Sequence, residues 1–340
     1  MVDRLFKCRP VSRSWAQRRS LWSLLAGVAL LSLWLAPSRD TEAGEARSKV
    51  FLDGQPVAVF FNDGDSFRVV NGSKVGTKAR LVGFNTLESY GPVHQWGSWT
   101  AKEMFVLAKM ATLNARRGIW KCESTGEVDT YKRSLIYCPG LAEDQIRKGL
   151  AHVMTVDDEP GRPALIAAQQ EAIAHRRGIW AHGVPDYIMT SLHSVDESID
   201  RKARERNYNR LVSTADGHSV KWKHQTSYSE CQKVCHQVYE VDEARVDEVA
   251  RAVAADPDLQ DMLAGLNPAQ IRKVIRDFAR DRHINRSVAE EHREALKGRL
   301  MTRATKGEFG TKNNTGSDAT CVVHVPFKRR YGGGKATCLK

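Results

Sequence analysis

Val57-Ala58-Val59-Phe60-Phe61-Asn62-Asp63-Gly64-Asp65-Ser66-Phe67-Arg68-Val69-Val70 is two short runs of β-branched and aromatic residues broken by a polar turn. Val57–Phe61 and Ser66–Val70 read as strands, and Asn-Asp-Gly-Asp between them is the chemistry of a hairpin-like reversal. Ala79–Phe84 reads as a third apolar strand. Helical spacing follows from Trp99 to Leu113 through Ala101, Met104, Phe105, Ala108 and Ala111. Gly118–Glu123 and Arg133–Cys138 look like two more strands joined by a polar loop, and Leu141–Leu150 and Ala164–Arg177 are helix-like. Three strands, a helix, two strands and further helix in one span predict an α+β fold, a small barrel with helices packed outside it. The pentapeptide Arg-Arg-Gly-Ile-Trp occurs at 116–120 and again at 176–180, with no wider repeat around it.

On either side of this span the character changes. Residues 186–228 are polar with little apolar periodicity and read as a linker or loosely packed segment. From 229 to 340 the pattern is mainly helical: Val246, Val249 and Val253, then Ile271, Val274, Ile275 and Phe278, recur at three- and four-residue steps. Asn267 is placed to cap the second of these helices. At the other end, Lys7, Arg9, Arg13, Arg18 and Arg19 precede an uncharged run from Leu21 to Ala36, then Pro37 and Arg39. A positive flank, a short apolar core and small residues make residues 1–43 an expected export signal. The run is shorter than the roughly 20 residues that comfortably span a bilayer, and an uncleaved membrane anchor is the rival reading. Secretion, or export to a periplasm or cell envelope, is the expectation.

Seven cysteines agree with export. Cys8 lies in the N-terminal segment. Cys122 and Cys138 stand on two strands joined by one loop, so a cross-strand disulfide is plausible, closing a loop worth about 3 kcal/mol. Cys231-x3-Cys235-His236 could hint at metal. Cys321 and Cys338 do not complete a matched pair, which favours disulfides joining the helical region to the tail. The net charge of +12 and pI near 9.4 suit an anionic partner, nucleic acid being the commonest. Nothing in the sequence points to an obligate protein partner.

Hydrolysis of a phosphodiester needs a base for the attacking water, positive groups on the phosphate oxygens and usually a hard cation. The 50–182 segment holds candidates for each. Asp63-Gly64-Asp65 puts two carboxylates in a turn where glycine permits unusual backbone geometry. Arg80-Leu81-Val82-Gly83-Phe84-Asn85-Thr86-Leu87-Glu88 opens an apolar strand with a charge and ends it in Asn, Thr and Glu. Asp129-Thr130-Tyr131-Lys132-Arg133 brings a basic pair into the strand leading to Cys138. Each alone has a bland reading, as a reverse turn, a solvated strand end and a polar hairpin tip.

In this order, with Gly149-Leu150-Ala151 and the apolar helix ending near Trp180, these elements resemble the staphylococcal (micrococcal) nuclease family. The resemblance covers roughly Val50 to Trp180. It implies an OB-type five-stranded barrel that cleaves DNA and RNA without strong sequence preference, leaving 3′-phosphates. Position by position it implies Glu88 as general base and Arg80 and Arg133 as the phosphate-gripping guanidiniums. One Ca²⁺ would be held by Asp65, Asn85 and the Thr86 carbonyl, with Asp63 in its outer shell. Tyr131 and Lys132 are the candidates for substrate contact.

Three departures matter. Asn85 stands where the family has a second calcium carboxylate, so weaker metal binding is expected. Thr155 and Asp157 stand where the family has tyrosines that line the nucleotide pocket. Residues 90–96 are an insertion, in which His94 or Trp96 could touch substrate, although Trp96 reads better as the start of a packed helix. A catalytically silent nucleic-acid- or protein-binding module, its metal site impaired by Asn85, is the competing expectation.

Overall fold

The computed structural model describes residues 49–197, 207–236, 238–314, 319–326 and 336–339. The expected export segment lies outside them, and among the described residues no helix is long and apolar enough to cross a membrane.

Six strands close the barrel, in the order β1-β2-β3-β4-β8-β7: β1 Lys49–Leu52, β2 Gln55–Asp63, β3 Ser66–Asn71, β4 Lys78–Leu81, β7 Ile119–Val128 and β8 Ser134–Tyr137. Neighbours are antiparallel except at two seams, β1 beside β7 and β4 beside β8, which run parallel. Alternate residues fill the interior, among them Val57, Phe61, Phe67, Val69, Ala79, Leu81 and Ile136. This alternation is what let the strands be read from sequence.

The third expected strand, Ala79–Phe84, is two strands. Gly83 adopts a φ of +91°, a left-handed geometry that only glycine takes without strain, and the chain turns there. β4 stays in the barrel. β5 (Gly83–Thr86) leaves it and pairs antiparallel with β9 (Ala151–Met154), with Asn85 opposite His152. Helix α1 (Ala101–Ala115) begins at a Thr100–Glu103 capping box and lies against β2. Helices α2 (Pro139–Arg147) and α3 (Pro163–Ala174) complete this half.

The insertion at 90–96 is not the start of a helix. Val93–Trp96 forms β6, and Trp96 is buried with its indole N–H donating to the carbonyls of Ile179 and Gly183. β6 is an outer strand of the sheet β13-β16-β6, whose other members, β13 (Lys233–Cys235) and β16 (Thr320–Val323), come from near the C-terminus. All described residues accordingly belong to one unit, Ala46–Lys340.

The expected linker is also corrected. Tyr187–Ser191, Tyr208–Ser213 and Ser219–Lys223 form a three-stranded antiparallel sheet, β10-β11-β12. Its polarity misled because the apolar residues come only as short pairs, Ile188-Met189 and Leu211-Val212, whose members face opposite sides of the sheet and are all buried.

Beyond it stand helices α4 (Glu243–Ala254), α5 (Pro268–Asp281) and α6 (Glu290–Thr305), around a separate apolar core that includes Val246, Val274 and Phe278. Asn267 caps α5 as expected, in a reciprocal box with Gln270. Short strands, including the pair β14 (Val238–Glu240) and β15 (Lys312–Asn314), accompany these helices.

Among the described residues three disulfides are present. Cys122–Cys138 ties β7 to the start of α2. Cys235–Cys321 joins β13 to β16, and Cys231–Cys338 encloses it in sequence. Such bonds persist in oxidising compartments.

Candidate active site

The β2–β3 turn carries the first two carboxylates. Gly64 is buried, and what it supplies is room: a Cβ there would lie 2.5 Å from Thr86 Cγ2 and 2.9 Å from Ala111 Cβ. The turn is therefore wedged between β5 and α1. Asp63 is tied into it, accepting from the Ser66 hydroxyl at 2.6 Å.

Asp65 is 2% exposed, and both its oxygens are engaged. Oδ2 accepts from the Thr86 main-chain N–H at 2.7 Å, and Oδ1 accepts from Arg80 Nη1 at 2.5 Å. Arg80 sits opposite Ser66 in the β3–β4 ladder, which carries its guanidinium to the turn. Its second arm, Nη2, donates to Asn85 Oδ1 at 2.6 Å.

Asn85 is thus a hub. Its amide nitrogen donates to the Thr86 carbonyl at 2.8 Å and lies 3.3 Å from His152 Nε2. His152 Nδ1 contacts the Val153 carbonyl at 3.0 Å, which makes Nδ1 the protonated nitrogen and Nε2 the acceptor. Burial pulls His152 down to about 4, so the ring is neutral at ordinary pH.

Glu88 follows β5 and is half-buried. Its charge acts on both Asp63 and Arg80. The backbone beside it is pinned to α1, because Lys109 donates to the Ser89 carbonyl at 2.7 Å and its ammonium stands 4.2 Å from the centre of the Tyr90 ring. Burial, followed by the charges of Asp65 and Glu88, holds the Asp63 carboxyl well above the usual carboxylate range. Burial opposes the charge on Arg80, yet the fields of Asp65, Asp63, Glu88 and Asp129 outweigh it and raise its affinity for the proton further.

Arg133 enters from the β7–β8 loop. Asp129 Oδ1 accepts from the main-chain N–H of Tyr131 and of Arg133, both at 2.9 Å, and Oδ2 accepts from Arg133 Nε at 2.7 Å. The loop is wound tightly enough that Lys132 takes a φ of +62°. Tyr131 projects to solvent at the tip, its ring 5.5 Å from the Arg133 guanidinium.

Asp63, Asp65, Arg80, Asn85, Thr86 and Glu88 are therefore gathered at one end of the barrel. Arg133 connects to them through Asp129, and Tyr131 and Lys132 lie further out. His94 is buried away from solvent on β6 and shares a field with His152. His152 and Lys109 were not singled out from sequence. A histidine inside the apolar run Leu150–Met154 was the available signal for the first; Lys109 had none, since its partners lie 20 residues back.

The donors at the turn are oxygens with negative charge in excess, which is the chemistry of a hard cation. Asp65 and the Thr86 carbonyl are the positions that fit one. Asn85 brings a third oxygen beside them, and all three already accept hydrogen bonds: Asp65 from Arg80 and the Thr86 N–H, Asn85 from Arg80, and the Thr86 carbonyl from Asn85. Among the described residues no three His, Cys, Asp or Glu side chains form a set arranged to hold a metal ion. No protein-family model and no curated protein sequence matches the chain.

Proposed function

We propose that this end of the barrel hydrolyses phosphodiester bonds, making the chain an extracytoplasmic nuclease of OB-type architecture acting on DNA and RNA. The observation that carries the reading is the half-buried Arg80 set among Asp65, Asp63 and Glu88, one guanidinium in a knot of carboxylates. Pure binding of a polyanion has no use for a cluster of acids. Activating water beside a phosphate does.

In this reading Glu88 takes the proton from the attacking water. Arg80 and Arg133 donate to the equatorial phosphate oxygens, a planar two-pronged contact that lysine cannot copy. A Ca²⁺ at Asp65 and the Thr86 carbonyl would neutralise charge on the same phosphate. Tyr131 supplies an exposed ring for a neighbouring base.

One observation favours the second reading, a silent binding module. Both arms of the Arg80 fork are engaged by the protein itself, at Asp65 and Asn85. Gripping phosphate requires at least one to let go.

Plasmid DNA incubated with the protein in Ca²⁺, and again with chelator, separates the two. Degradation that needs the ion and falls by about 10²- to 10⁴-fold in Glu88→Gln is expected of the enzyme. No degradation would establish the module instead, and equal degradation by Glu88→Gln would overturn the role of Glu88 as base.

A further inference from the structure

A cavity of about 500 Å³ opens among β10, β12, β13–β14 and the helices α5 and α6, within the range of about 300–1,000 Å³ usual for small-molecule sites. None of its residues belongs to the barrel site. Its walls combine two chemistries. Tyr187, Trp222 and Tyr239 provide aromatic surface, and Tyr187 and Trp222 stand 6.0 and 5.8 Å from the ring of His236. Lys223 and Lys297 bring two amines beside one carboxylate, Asp281, while the Lys221 ammonium stands over the Tyr208 ring and the Arg282 guanidinium over that of Tyr239. Burial pushes that carboxyl up to about 7, with Asp277 and Asp186 adding to the effect, so the balance at neutral pH is more positive still.

His236 adds a third element. It is 7% exposed, its ring bonds to the Asp281 main chain, and its Nδ1 has no hydrogen-bond partner. Buried polar atoms are seldom left so, because their lost hydration is not replaced. Burial also pulls His236 down to about 4. With its other nitrogen donating to a carbonyl, Nδ1 of the neutral ring is an acceptor, closed off from solvent here, which a ligand's N–H or O–H meets when a neighbouring side chain shifts.

We propose that this cavity is a second binding site whose ligand is a nucleoside phosphate: its base against Trp222 and Tyr187, its phosphate against Lys223 and Lys297, and a base amine or sugar hydroxyl donating to His236 Nδ1. Stacking surface, clustered amines and one buried acceptor together match that chemistry, whereas a simple inorganic anion would leave the rings and His236 unused. The proposal rests on the cavity's own residues and not on hydrolysis at the barrel. The nucleotide is either free or the terminus of a single strand.

Isothermal titration of the full chain in chelator tests it, with adenosine monophosphate, adenosine, inorganic phosphate and a short phosphorothioate oligonucleotide as probes. Adenosine monophosphate is expected to bind at least about tenfold more tightly than phosphate or adenosine alone. Trp222→Leu and Lys297→Ala should each weaken it by about tenfold, and Trp222→Phe should retain most of the affinity. An oligonucleotide tighter than the mononucleotide identifies a strand end as the ligand; equal or weaker binding identifies the free nucleotide. Binding no tighter than phosphate overturns the proposal. So does binding that survives Trp222→Leu and Lys297→Ala together but is lost in Arg80→Ala. Should Trp222→Leu fail to fold, Trp222→Phe and the half-exposed Lys297 carry the comparison.

Discussion

Asn85 shows how one atom's substitution redistributes a site. An aspartate there could offer a cation a second charge. The asparagine instead accepts from Arg80 with its oxygen and donates to Thr86 and His152 with its nitrogen. Asn85→Asp keeps the bond to Arg80 but loses both donations, and its new charge faces His152 Nε2. Tighter Ca²⁺ binding is therefore expected, by about tenfold or more for one added carboxylate, since affinity in oxygen-donor sites follows charge count. A calorimetric Ca²⁺ titration of both proteins checks this, and equal affinities would refute it. The candidate residues up to Glu88 were legible because they sit in short stretches with unusual charge placement. The partners that hold them were not, because Asn85 and His152 meet only through the pairing of β5 with β9, a register no local pattern announces.

At the scale of elements, Arg-Arg-Gly-Ile-Trp makes the limit of local reading concrete. At 116–120 the pentapeptide leaves α1 and enters β7, with Ile119 exposed; at 176–180 it forms a 3-10 turn with Ile179 and Trp180 buried. Identical side chains meet different neighbours, and packing decides. The same holds for Val93–Trp96, which is a strand because β16 lies beside it. Among the barrel strands, β3 and β8 were readable almost to the residue, whereas β1 was not read at all, β2 and β7 run longer than expected, and the expected third strand breaks at Gly83. Among element-level links, Cys122–Cys138 is the one a measurement isolates best. It joins β7 to the head of α2 across a separation of 16 residues. Replacing both cysteines with alanine should cost about 3 kcal/mol in urea unfolding, from the freed loop in the unfolded chain. An unchanged midpoint would mean that barrel closure alone fixes this corner.

Across the whole molecule, burial has set several titrations against one another. His94 and His283 are pulled down to about 3, and His152 and His236 to about 4, chiefly by burial. Unfolded, these imidazoles take up protons below their ordinary value of about 6.5, so stability falls as pH drops from there towards 4. Asp281, pushed up to about 7, and the raised Asp63 act oppositely. Their folded forms keep protons that the unfolded chain has released, so stability also falls as pH rises from about 4 towards and through 7. With four histidines against two carboxyls, melting temperature in chelator should climb between pH 4.5 and about 6.5, then level or decline by pH 8. A profile flat from pH 5 to 8 would show that these groups reach solvent in the folded chain.

The bond Cys231–Cys338 brackets Cys235–Cys321, so the two residues that emerge first from the ribosome wait longest for their partners. Through the synthesis of some eighty-six further positions, Cys231 and Cys235 have each other as the nearest thiol in sequence. Oxidative maturation of these four cysteines therefore runs past a tempting wrong pairing, and a thiol-disulfide isomerase becomes a natural requirement for producing the folded form. Yield from a host lacking one should be dominated by chains miswired at this single point.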